Sequence, residues 1–130
     1  MGLDYLAIAA SAVAAFILSG VWYSVFGERL SRLHPAYGEG GGAPSVSDVV
    51  VELVRNLVLA TVLAGLISRL PVDTWPGAIV LGIALWVGFP LVLLAGSVYH
   101  EKVPVQLAAI HGGDWLLKLL ATAVIVTVWP

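Results

Sequence analysis

The stretch His111-Gly-Gly-Asp114-Trp-Leu-Leu-Lys118 decides how this chain folds. It lies inside the last long apolar segment, where a charge has no easy access to water. In an α-helix each residue turns about 100°, so positions i, i+3 and i+7 share one face. His111, Asp114 and Lys118 therefore form a single polar stripe. Asp114 and Lys118 are also spaced i, i+4 with the acid first, the favourable order for an ion pair. If the helix enters lipid near Val105, Asp114 sits roughly 14 Å in and Lys118 roughly 20 Å in, at about 1.5 Å per residue. A hydrocarbon core is about 30 Å thick, and a charge near its middle costs about 2.5–3.5 kcal/mol on insertion scales. The stripe must face protein or a wet cavity, not lipid, and the rest of the chain is organised around it.

Composition agrees. The 130 residues are 60% hydrophobic and 11% charged, with a mean hydropathy of +1.00, whereas soluble domains carry about 25% charged residues. The lipid bilayer is the expected environment. A net charge of −2 gives no reason to expect nucleic acid as a partner. No cysteine is present, so disulfides, thiolate metal sites and cysteine nucleophiles are excluded. No Lys or Arg precedes the first apolar run and Asp4 is its first charge, so the N-terminus reads as a retained span, not a cleaved signal.

Taken outward from that stretch, the chain predicts an all-α bundle of four transmembrane helices forming a single domain over residues 1–130. The expected spans are about 3–26, 48–70, 77–99 and 104–129, with a loop over 27–47. In the first span Ala7, Ser11, Ala15 and Ser19 recur every four residues, a row that lets helices approach closely in lipid, within the chain or in a homo-oligomer. Trp22, Tyr23, Tyr99 and Trp129 stand at span ends as interfacial anchors. In the loop, Gly38-Glu-Gly-Gly-Gly42 lacks the strand before it and the Gly-Lys-Ser/Thr after it that a phosphate cradle needs, and reads as a flexible linker. Ser45-x-x-Asp48 is a capping box at the start of the second helix. Glu52, Arg55 and Asn56 share a face early in that helix, and Glu52 with Arg55 can pair at i, i+3. Pro90 should kink the third span.

Four spans put both termini on one side and the connections 27–47 and 100–104 on the other. Arg29, Arg32 and Lys102 on the loop side, against Arg69 on the terminal side, predict cytoplasmic loops and external termini. Helices two and four both begin on the loop side. Glu52, Arg55, Asn56, His111 and Asp114 therefore fall in the loop-side half, with Lys118 near the middle, and any cavity should open toward the loops.

The residues also carry a resemblance. Gly20-Val-Trp-Tyr-Ser24 followed by Phe26-Gly27, then Trp86-Val-Gly-Phe89, Glu101-Lys-Val-Pro104, Leu107 and Ile110-His-Gly-Gly113, resemble the pattern of the bacterial family called domain of unknown function 1761. The resemblance implies a small four-helix protein of the bacterial cytoplasmic membrane, without an established activity to transfer. The chain departs from the family pattern at Val25, where the family has proline, and at His111 and Asp114, where it has Asn and Tyr.

The stripe admits two readings. Asp114 and Lys118 can be a structural ion pair that fixes packing or a subunit interface. They can equally be part of a proton or ion relay, with His111 supplying the side-chain type that changes charge near neutral pH. His100 and His111 do not share a helix face, so neither a metal nor a cofactor is expected. Gly112-Gly113 predicts close helix contact, or local unwinding that exposes carbonyls to an ion. No serine sits in a strand-turn-helix elbow, and no catalytic residue is assigned. The expectation is thus not an enzyme. It is an interaction or scaffold protein, an oligomer or an accessory subunit of a larger membrane complex. The alternative is a small channel or transporter for protons, ions or small solutes.

Overall fold

The computed structural model describes residues 3–33 and 45–130. His34 and the glycine run of the linker lie outside the described residues. Six helices follow in order: α1 Tyr5–Val25, α2 Gly27–Leu33, α3 Val46–Arg69, α4 Trp75–Gly88, α5 Pro90–Glu101 and α6 Val105–Val128. With α4 and α5 taken as one interrupted span, four helical segments are long and apolar enough to cross a membrane.

Each boundary has a local cause. Asp4 caps α1, its carboxylate accepting from the backbone N–H groups of Leu6 and Ala7. The capping box at α3 is formed in both directions, Ser45 Oγ accepting from Asp48 N and Asp48 Oδ2 accepting from Ser45 N. It starts α3 at Val46 rather than at 48. Proline lacks the N–H that a helix interior requires, and the third span accordingly breaks at Phe89, immediately before Pro90. The α5 half ends on Lys102, which takes the left-handed conformation at φ 58°. The segment predicted as a loop from residue 27 opens with α2. Its Leu30 is buried against Leu107 and Ile110 of α6, a tertiary contact that holds a helix too short to persist alone.

α6 is the central helix, packed against α1, α3, α4 and α5. Two apolar clusters fill the half nearer the chain termini: Leu63, Ile67, Ala78, Leu119 and Ala123, and Ile8, Ala60 and Ala64. A third, around Leu30, Leu107 and Ile110, packs α2 against α6 at the loop end. The Ala7, Ser11, Ala15 and Ser19 row is buried within the chain. Those small side chains let α1 approach α3 and α6, so this face is not available to a second subunit. Apolar side chains such as Val13, Ile17 and Val21 point outward instead, as a lipid-facing surface requires.

Candidate functional site

Between the clusters lies a polar network built on α6. The ammonium of Lys118 is 3.1 Å from Asp114 Oδ2 and 3.4 Å from Glu52 Oε1 of α3. It also lies 5.3 Å from the ring centroid of Trp115, a cation–π distance. Glu52 in turn pairs with Arg55 at 2.8 Å. Asp114 and Lys118 are 3% and 2% exposed, so each depends on its partners for the stabilisation water would supply.

α1 contributes the other side. Ser19 Oγ donates to Asp114 Oδ1, and the Tyr23 hydroxyl lies 3.4 Å from Asp114 Oδ2. The same hydroxyl is 2.7 Å from His111 Nδ1. A hydroxyl both donates and accepts. Tyr23 therefore joins the imidazole to the carboxylate, and a proton held at Nδ1 has a hydrogen-bonded route to Asp114. Ser19 is committed to the carboxylate, not to a histidine that could activate it as a nucleophile.

Two indoles brace the start of α6. Trp22 Nε1 donates to the Ile110 carbonyl at 2.8 Å, and Trp86 Nε1 donates to the Gly112 carbonyl at 2.8 Å. Trp22 and Tyr23, read as interfacial anchors, thus turn toward α6; their polar atoms find partners in the protein, not at a lipid headgroup. Gly113 explains how Trp22 fits, because a Cβ there would come within 2.2 Å of the indole. α6 stays helical through Gly112 and Gly113. The pair accommodates close packing, as expected in kind, but against aromatic rings. Tyr99 is exposed at the loop end of α5, against His100 and Lys102, and Trp129 forms the C-cap of α6.

The network forms the floor of a cavity of 460 Å³. Its walls are the second half of α1 (Phe16 to Tyr23), the first turns of α3 (Asp48 to Arg55) and the first half of α6 (His111 to Trp115). It occupies the loop-side half of the bundle. Glu52, Arg55, His111 and Asp114 all line it, while Lys118 lies beneath. Asn56, grouped in the sequence with Glu52 and Arg55, is instead 2% exposed in the helix interface. Among the described residues no group of three metal-ligating side chains converges. Sequence reasoning missed Ser19 and Tyr23 as partners of the stripe. Their i, i+4 spacing is the available signal, but in the sequence it reads equally well as part of the packing row and the anchor pair.

The family described as "Protein of unknown function (DUF1761)" matches residues 6–127. Searches of curated proteins and of solved structures give no match.

Proposed function

The chain belongs to the DUF1761 family, and on the evidence of its own residues we propose that it is a small channel or transporter for protons, ions or small polar solutes. One observation carries this reading: Asp114, the acid of the buried Asp114–Lys118 pair, lines a cavity together with Glu52, Arg55 and His111 and is not sealed in a helix seam. An ion pair that serves only packing gains nothing from a cavity beside it, and intramembrane ionisable groups are functional candidates by default. In this reading the cavity admits a solute or hydrated proton to His111, Tyr23 relays to Asp114, and Lys118 sets the charge that Asp114 presents. The interaction or scaffold reading draws on the absence of a catalytic motif in the sequence. Its oligomer component drew on the small-residue row of α1, which is buried within one chain.

The test is proton and cation flux into liposomes holding the purified protein, with Asp114→Asn and, as a control outside the cavity, Glu28→Gln in parallel. Flux in the parent, at least ten-fold lower in Asp114→Asn and retained in Glu28→Gln, supports the reading. Absence of flux in the correctly folded parent overturns it and directs attention to a protein partner.

A further inference from the structure

Below the cavity floor the interface is not purely apolar. Ser11 Oγ, Asn56 Nδ2 and Thr122 Oγ1 are buried without a hydrogen-bond partner among the described residues, and these side chains are 0%, 2% and 1% exposed. Leaving such a group unsatisfied forfeits its hydrogen bond to water without replacing it, so three at one interface need an explanation.

Their levels supply one. Antiparallel α1 and α6 pair Ser19 with Asp114, Trp22 with Ile110 and Tyr23 with His111. The same register sets Ser11 opposite Thr122, about 12 Å beyond Asp114 at about 1.5 Å per residue. Ile8 clusters with Ala60 and Ala64 of α3. That pairing puts Asn56 between the levels of Ser19 and Ser11. Thr122 also follows Lys118 by one turn on the same face of α6. Asn56 thus lies one step below the floor of the cavity, and Ser11 and Thr122 lie together one step further. Beyond them Ile8, Ala64 and Val126 form an apolar layer. On the far side of that layer lies a second cavity, of 310 Å³, lined by Asp4, Ser68, Asp73 and Thr127.

We propose that the loop-side cavity continues past Lys118 as a file of internal water held by Asn56, Ser11 and Thr122, and that Ile8, Ala64 and Val126 close this file from the terminal-side cavity. Water supplies each orphaned group with a partner, and a buried water typically makes two to four such bonds. A single file of water and hydroxyls suits protons, which hop along it without shedding a hydration shell. The apolar layer is then a gate of the dewetting kind. The use of this file as a proton route rests on the transport reading above; its hydration does not.

Because the chain contains no cysteine, single cysteines report hydration directly. Thiols react as thiolates, which form in water and not in lipid. Ser11→Cys, Thr122→Cys and the lipid-facing control Val13→Cys are reconstituted and exposed to Ag⁺ from the loop side. They are then unfolded and alkylated with N-ethylmaleimide to count the thiols that silver left free. Protection of Ser11→Cys and Thr122→Cys at least ten-fold faster than Val13→Cys is the expected result. Protection no faster than Val13→Cys at both positions overturns the file, whatever the flux assay shows. Ala123→Cys, buried in the apolar cluster with Leu63, Ile67 and Ala78 and outside the file, guards against general loosening: its protection at the same rate as Ser11→Cys also overturns the proposal. Flux abolished by Asp114→Asn without a protected Ser11→Cys or Thr122→Cys would leave the transport reading standing and the route wrong.

Discussion

Lys118 stands one helical turn from Asp114, its Nζ 3.1 Å from Oδ2, and both side chains are almost fully buried. The pair is the electrostatic centre of the bundle: each charge is tolerable there only because the other is present. Removing one partner of a buried pair costs about 3–5 kcal/mol, while removing both together is often near neutral. Asp114→Asn and Lys118→Met should therefore each lower the thermal unfolding midpoint in detergent, and the double variant should lose much less than the sum. Additive losses would show that the two side chains are not coupled.

Glu52 is a weaker partner. It lies 3.4 Å from Lys118 with its side chain 29% exposed, and it shares its charge with Arg55. Exposed and half-exposed pairs contribute about 0–1 kcal/mol. Glu52→Gln should therefore leave the unfolding midpoint close to that of the parent. A loss as large as that of Asp114→Asn would place Glu52, not Asp114, as the main counter-ion of Lys118.

Gly113 and Gly20 make a matched pair of tests. An alanine Cβ at Gly113 meets the Trp22 ring at 2.2 Å, whereas one at Gly20 meets nothing within 4 Å. Overpacking of this kind costs about 1–3 kcal/mol, and replacing an unhindered helical glycine with alanine gains up to about 1 kcal/mol. Gly113→Ala should destabilise and shift the tryptophan emission, and Gly20→Ala should be neutral or stabilising. Equal behaviour of the two would mean that Trp22 does not pack on Gly113.

The indole hydrogen bonds can be removed with little change of shape. Trp86→Phe deletes the donor to the Gly112 carbonyl while keeping most of the ring. The expected loss is about 1 kcal/mol, the net value of one such bond, read from the unfolding midpoint. No loss would indicate that the carbonyl finds another donor.

Several of these features were legible in the chain alone. The rotation of 100° per residue is local geometry, so His111, Asp114 and Lys118 had to share a face, and the cost of charge in hydrocarbon had to turn that face inward. Capping at Ser45 and Asp48 and the break before Pro90 follow from backbone hydrogen-bonding rules that act over a few residues. Partner choice is different, because it depends on which side chains the packing brings opposite one another. Ser19 is 95 residues from Asp114, and nothing in the local pattern of α1 separates a serine that packs from one that donates to a distant carboxylate. The same holds for Trp22, whose place at a span end fits a headgroup anchor until α6 offers the Ile110 carbonyl. It holds for α2 as well, where Gly27–Leu33 is polar enough to read as loop and becomes helix because Leu30 finds Leu107 and Ile110. Local periodicity thus determined the bundle and the inward stripe. Only the antiparallel packing of α1 and α3 on α6 decided that the stripe would form the floor of a cavity, and that unpartnered polar groups would continue beneath it.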